Sequence, residues 1–333
     1  FWRQSTGSTP VGGIAKPVER AALRRFFIWL CGGHLGWSAA GTARRCTAIS
    51  QNVRLLYNSK ESILKKYGFQ IFLAMQRGKA ATVDATKKSG GRYALLDELR
   101  GLSLIAMIGY HGMWDLVYLA GIRAAWYEGL PGRLWQQTVC CIFILLSGFC
   151  LALGHAPVRR GLIVFGGGAL VTLVTWAVLP EDIVLFGVLT FLGSAMIFTG
   201  LLRPWLDRVP GWAGLAGSIL LFLLTYHVNA GYLSLGGLYL GQLPDSLYAN
   251  LLTAYLGFPG PGFYSTDYFS LLPWLFLFWA GFYLYKVVGR PRMEPLRRSI
   301  CLPLGWIGRH SLVIYMLHQP VLYGLLMVWN ALH

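Results

Sequence analysis

Residues 96–116 read LDELRGLSLIAMIGYHGMWDL, an apolar run that holds Arg100, His111 and Asp115. On a helix, successive residues advance by about 100°, so Arg100 and His111 return to within about 20° of one another. Leu104, Met107 and Trp114 fall on the same face, with Asp97 and Asp115 on its shoulder. At about 1.5 Å of rise per residue, His111 lies about 16 Å above Arg100. That depth is near the middle of a roughly 30 Å hydrocarbon core. An ionisable group there costs about 2.5 kcal/mol or more, so it must face protein or water. The i, i+4 spacing lets Asp115 approach the His111 ring, fix its tautomer and stabilise its cation. A histidine so held can act as a general base, worth about 10² to 10⁴ in rate. A polar clasp between helices and a proton relay use the same residue types.

The last apolar run repeats the pattern. Residues 305–320, GWIGRHSLVIYMLHQP, place Arg309 at one end and His318 nine positions on. Ser311, Tyr315 and His318 share a face by i, i+4 and i, i+3 spacing. Pro320 frees a backbone carbonyl and predicts a kink. His318 and Gln319 are therefore expected to line the cavity that His111 faces. Asp267, just before FSLLPW, is expected at the outer surface, where it meets an acceptor amine or hydroxyl. Ser147, Thr190 and His227 are weaker candidates, the first two as packing residues and the third as a wetted helix end.

These residues need a membrane to position them. Of the 333 residues, 55% are hydrophobic and 13% charged, and the mean hydropathy is +0.52. Soluble domains carry roughly 25% charge, so this chain cannot cover a globular surface. Seven apolar runs, near 98–120, 134–154, 161–180, 183–202, 212–231, 268–288 and 306–330, predict an all-α, polytopic bundle of about seven transmembrane helices. Sixteen Lys or Arg from residue 77 onwards fall at one set of helix ends, and only Arg123 and Arg133 at the other. By the positive-inside rule the N-terminus is cytoplasmic. The net charge of +16 thus reflects orientation rather than nucleic-acid binding. The segment 232–267 lacks Lys and Arg and includes GFPGPGFYSTDY, a turn-rich, aromatic composition suited to a loop over a pocket mouth. The six cysteines form no CxxC pair, so they are expected as small buried hydrophobes, with no metal site.

Residues 1–74 carry 11 Lys or Arg against 2 Asp or Glu and show no sustained period. They are expected to be disordered or a spurious extension, with Met75 the working start. The alternative is a basic tail on anionic lipid. Residues 75–94 are expected as a polar cytoplasmic leader, and 95–333 as the membrane domain.

The Arg-x10-His spacing from Arg100 to His111 resembles the signature of the transmembrane acyltransferase superfamily. More narrowly, LDELRGLSLIAMIGYHGMWDL, STDYFSLLPWLFLFWAGF and IGRHSLVIYMLHQP resemble the bacterial branch of the heparan-alpha-glucosaminide N-acetyltransferase catalytic-domain family. With FILLSG and FGVLTFLG, the resemblance covers about residues 92–328. The chain has Thr190 where that family often has a histidine, and HGMWDL in place of the lysosomal member's catalytic sequence. The resemblance implies an acyltransferase in a bacterial-type cytoplasmic (inner) membrane. It would move an acetyl group from cytosolic acetyl-CoA, a co-substrate, to a sugar amine or hydroxyl on the far side. Carried over, Arg100 and Arg309 would hold CoA phosphates, His111 would be the base or acetyl carrier, and Asp115 would orient it. Trp114, Asp267, His318 and Gln319 would line the substrate cavity. Partners on this reading are membrane lipid and a carbohydrate acceptor, with a homo-oligomer left open. A proton-coupled transporter and a non-catalytic membrane protein are the competing readings.

Overall fold

The computed structural model describes residues 92–178 and 180–332. The extension 1–74 and nearly all of the leader lie outside the described residues. The elements, in chain order, are α1 (Ala94–Trp114), α2 (Ala125–Glu128), α3 (Leu130–Leu153), α4 (Pro157–Val178), α5 (Val188–Leu206) and α6 (Gly211–Thr225). A hairpin follows, β1 (Tyr232–Leu235) and β2 (Leu238–Gln242), and then α7 (Leu251–Leu256), α8 (Trp274–Val288), α9 (Leu302–Arg309) and α10 (Ser311–Leu332).

Among the described residues, six helices are long and apolar enough to cross a membrane, against about seven runs expected. The shortfall lies in the run near 268–288, whose helix is confined to Trp274–Val288. Its first residues are held extended instead. Phe269 N–H donates to Phe186 O at 2.9 Å, and Leu271 and Leu272 N–H donate to Tyr255 O and Leu256 O at 2.9 Å each. Pro273, which has no N–H, then opens α8. At the other end of the chain the expected single helix is two. His310 (φ −103°, ψ 19°) separates α9 from α10, which continues through Pro320.

Lipid tails are as apolar as leucine, so helix association depends on close packing. Glycines supply it at the tightest crossings. A Cβ on Gly148 of α3 would sit 2.0 Å from Phe278 O of α8, and one on Gly281 of α8 would sit 2.1 Å from Leu145 O. Gly101 of α1 and Gly308 of α9 meet the opposing backbone as closely. Helix α5 is the centre of the bundle: 56% of its apolar window is buried, against 11% for α4 and α10. Phe191, Leu192 and Ala195 of α5 pack with Ile144 of α3 and Phe278 of α8. Outward leucines such as Leu162, Leu173, Leu317 and Leu325 remain exposed, as a lipid-facing surface requires. Lys286 of α8 donates to Leu206 O, Asp207 O and Val209 O at 2.9–3.2 Å, closing the carboxyl end of α5.

The hairpin is a further departure from the helical expectation. YLSLGGLYL alternates around Gly236 and Gly237, which take φ of 59° and 90°. Two consecutive positive φ values make the turn that closes two-residue hairpins, and glycine adopts them without strain.

Candidate active site

Helix α1 carries His111 and Asp115 to a place where its winding changes. Asp115–Leu119 forms a π turn, in which Ala120 N–H donates to Asp115 O at 3.0 Å. Such turns recur at functional sites because they re-aim neighbouring side chains. Across from it runs α10. The His111 and His318 rings are 5.0 Å apart between centroids and inclined at 58°. Tyr110 lies edge-on to His111 at 5.9 Å. Gln319 Nε2 donates to Asp115 Oδ1 at 3.0 Å, and Asp115 is 2% exposed.

The structure therefore brings together four of the expected residues, His111, Asp115, His318 and Gln319. One pairing differs from expectation. Asp115 is bonded to Gln319 rather than to the His111 ring, because the amide of α10 reaches the carboxylate across the helix interface. Among the described residues, Asp115 Oδ2, His318 Nε2 and Gln319 Oε1 are buried with no hydrogen-bond partner. Buried polar atoms are nearly always paired, so three orphans in one cluster mark a place built for more than packing.

A second arm leads outward from His318. Its Nδ1 is bonded to the Tyr315 carbonyl oxygen. That contact assigns the proton to Nδ1 in a neutral ring and leaves the lone pair on Nε2. Tyr315 OH donates to Asp267 Oδ2 at 3.3 Å, and Val188 N–H, at the start of α5, donates to the same oxygen at 3.3 Å. Asp267 is thus half-buried at the start of α5 and tied by its side chain to two helices. Burial pushes its carboxyl above the ordinary carboxylate range, while the bonds from Val188 and Tyr315 pull the other way. The strap that carries it pairs with residues 183–186. Leu185 N–H donates to Ser265 Oγ at 2.9 Å, and Thr266 N–H to Ile183 O at 3.0 Å. Phe186, in that turn, holds a φ of 55°, a costly conformation for an aromatic residue. Its ring is braced against Tyr255 and Phe263.

The arginines lie at the far end of α1. Arg100 Nη1 meets Asp97 Oδ1 at 3.2 Å. Arg100 also reaches Cys150 of α3, and its charge is felt by Arg160 of α4. Arg309 is exposed on α9. Nearby, Glu98 Oε1 accepts from Ser299 OH at 2.5 Å and from Ile300 N–H at 3.1 Å, which ties the approach to α9 onto α1. Trp114 packs with Val117, Ala124 and Tyr127. Ser147 Oγ donates to its own helix at Phe143 O, and Thr190 is buried against Gly168. His227 Nδ1 contacts Ser234 Oγ at 2.5 Å.

Sequence reasoning passed over Asn229, whose Nδ2 donates to Gly257 O and Ser270 Oγ at 3.0 Å each and so fastens the outer loop. It also passed over Gln136 and Gln137, whose signal was plain: two adjacent amides inside an apolar run.

Comparison with curated proteins and with solved structures yields no match. A family model, "Heparan-alpha-glucosaminide N-acetyltransferase, catalytic", matches residues 92–320, which include every residue of the cluster and both arginines. With its apolar spans and its half-buried histidine pair, the chain belongs to the heparan-alpha-glucosaminide N-acetyltransferase catalytic-domain family, a family of membrane acetyltransferases.

Proposed function

We propose that this protein transfers an acetyl group from cytosolic acetyl-CoA to a sugar amine or hydroxyl on the opposite side of the membrane. The observation that carries this is the His111–His318–Asp115–Gln319 cluster, with three unpaired buried atoms on two facing helices. The arginine-rich end is the cytoplasmic one by its charge. There Arg100 and Arg309 hold the CoA phosphates, for which planar guanidinium groups are suited. The span of α1 from Arg100 to His111, about 16 Å, is one that an extended pantetheine arm bridges.

His111 serves as the base. It takes the acceptor proton as the acceptor oxygen or nitrogen attacks the thioester carbonyl carbon. The new C–O or C–N bond forms, the C–S bond breaks, and the sulfur leaves as thiolate. The proton on His111 then passes to that thiolate, which regenerates the free base and gives CoA thiol. Asp115, held by Gln319, steadies the imidazolium that exists between these steps, and His318 Nε2 supplies a second lone pair beside it.

The test is acetyl transfer by the full chain in lipid nanodiscs, with labelled acetyl-CoA, for wild type and His111→Ala. Transfer by the wild type and its loss in a folded variant are expected. If acetyl-CoA does not bind even at millimolar concentration, the reading fails.

A further inference from the structure

The connection from α8 to α9, residues 289–301, reads GRPRMEPLRRSIC. Met293 fixes it to the bundle, fully buried with Leu96 and Phe149. Its carboxylate, Glu294, takes Arg297 at 2.8 Å, and the Arg297 guanidinium lies over the Tyr93 ring at 4.9 Å. Arg290, Arg292 and Arg298 are exposed. Arg290 and Arg292 donate to neutral oxygens, Tyr285 OH at 3.4 Å and Val287 O at 3.3 Å, which do not offset their charge. Ser299 then turns inward and donates to Glu98 of α1. The chain is extended here, with ψ of 135° at Arg298 and 95° at Cys301. Side chains alternate along extended chain, so Arg298 and Ile300 point away from α1.

That outward side is apolar as well as cationic. Ile300 is 78% exposed, and Leu302 and Trp306 of α9 are 74% and 55% exposed. The other side of α9 presses on α1: a Cβ on Gly101 would meet Leu304 O, and one on Gly308 would meet Asp97 O. Gly101 and Asp97 belong to the membrane-spanning stretch Ala94–Leu119, so α9 lies at the edge of the bilayer. Ile300, Leu302 and Trp306 thus continue the lipid-facing surface, and tryptophan favours the headgroup level. A basic segment beside an apolar helix face at that level matches an anionic lipid surface. A soluble phosphate would pair with the arginines and leave the three apolar side chains in water.

We propose that this segment and the outer face of α9 bind anionic phospholipid, with the headgroup phosphate on Arg290, Arg292 and Arg298 and the acyl chains over Ile300, Leu302 and Trp306. The proposal does not depend on acetyl transfer. The test uses the full chain in phosphatidylcholine nanodiscs, with Ile300→Cys as its sole cysteine carrying an uncharged nitrobenzoxadiazole fluorophore. Phosphatidylglycerol with a nitroxide on its acyl chain is expected to quench at least about threefold more than phosphatidylcholine with the same nitroxide, at equal mole fraction. Arg290→Gln/Arg292→Gln/Arg298→Gln is expected to bring the two lipids level. The same loss of charge elsewhere, in Arg159→Gln/Arg203→Gln/Arg208→Gln, is expected to leave the difference in place. Inorganic phosphate at constant ionic strength is expected to leave it too. Equal quenching by the two lipids with the arginines intact, or quenching by neither, overturns the proposal. So does an equal effect of the two triple substitutions, which would assign the preference to net charge. Displacement by inorganic phosphate would assign the arginines to a soluble anion and overturn it as well.

Discussion

His111 and His318 face one another at 5.0 Å although they lie on the first and last long helices of the described chain. Neither helix alone places a base beside a second lone pair; the α1–α10 interface does. If the two rings act as one unit, removing either one should cost nearly as much as removing both. His111→Ala is expected to lower acetyl transfer by about 10² to 10⁴. The His111→Ala/His318→Ala double variant is expected to fall little further. Rates for the four chains of this cycle decide it, and a full multiplication of the two single effects would show independent roles.

Asp115 and Gln319 carry a separate prediction, about stability. Gln319→Leu strands both oxygens of a carboxylate that is 2% exposed. Leaving a buried group without its partner costs about 1–3 kcal/mol. Replacing both members, Asp115→Leu/Gln319→Leu, removes the stranded charge, so the double variant should be more stable than the sum of the single losses implies. Thermal unfolding in detergent measures the cycle. Strict additivity would mean that the 3.0 Å bond contributes nothing.

Helical arithmetic made much of this cluster legible in advance. The 3.6-residue period put Arg100 and His111 on one face, and a second stripe in the last run pointed to His318 and Gln319. The partner of Asp115 was not legible, because two helices more than 200 positions apart meet at an angle that no local pattern encodes. The partners of Asp267 were not legible for a related reason: the strap pairing with residues 183–186 brings its carboxylate to Val188 of α5 and Tyr315 of α10. The run near 268–288 was apolar enough for a full span. Its first residues are extended because backbone partners in α7 and at Phe186 compete for their N–H groups.

Asp267 yields a pH dependence with a definite sign. Burial raises its carboxyl above the ordinary value of about 3.9. The fold therefore favours the protonated form. The stability this contributes is full below the ordinary value and is lost as pH rises through the raised one. Tyr315, His318 and Cys140 are the titratable groups whose charge meets it. Asp267→Asn keeps an oxygen for Val188 N–H and Tyr315 OH but cannot ionise. Its thermal midpoint in detergent should therefore gain on that of the wild type as pH rises from about 4 towards neutrality. Parallel curves for the two chains would contradict the burial-driven shift.

The glycine crossing between α3 and α8 predicts where one added methyl group is intolerable. At Gly281 a Cβ would lie 2.1 Å from Leu145 O, and that obstacle is backbone, which cannot rotate away. Gly281→Ala must therefore push α3 and α8 apart, and their contact lies beside the bundle centre formed by Ile144, Phe191 and Phe278. Overpacking costs about 1–3 kcal/mol. The loss should appear at the histidine pair only through the bundle, as a lower thermal midpoint with a normal KM in the surviving fraction. Gly217 of α6 is the control, since a Cβ there meets nothing within 4 Å. Gly217→Ala should be neutral or slightly stabilising, because alanine favours the helix by up to about 1 kcal/mol over glycine. Equal midpoints for the two variants would mean that the α3–α8 contact does not support the fold.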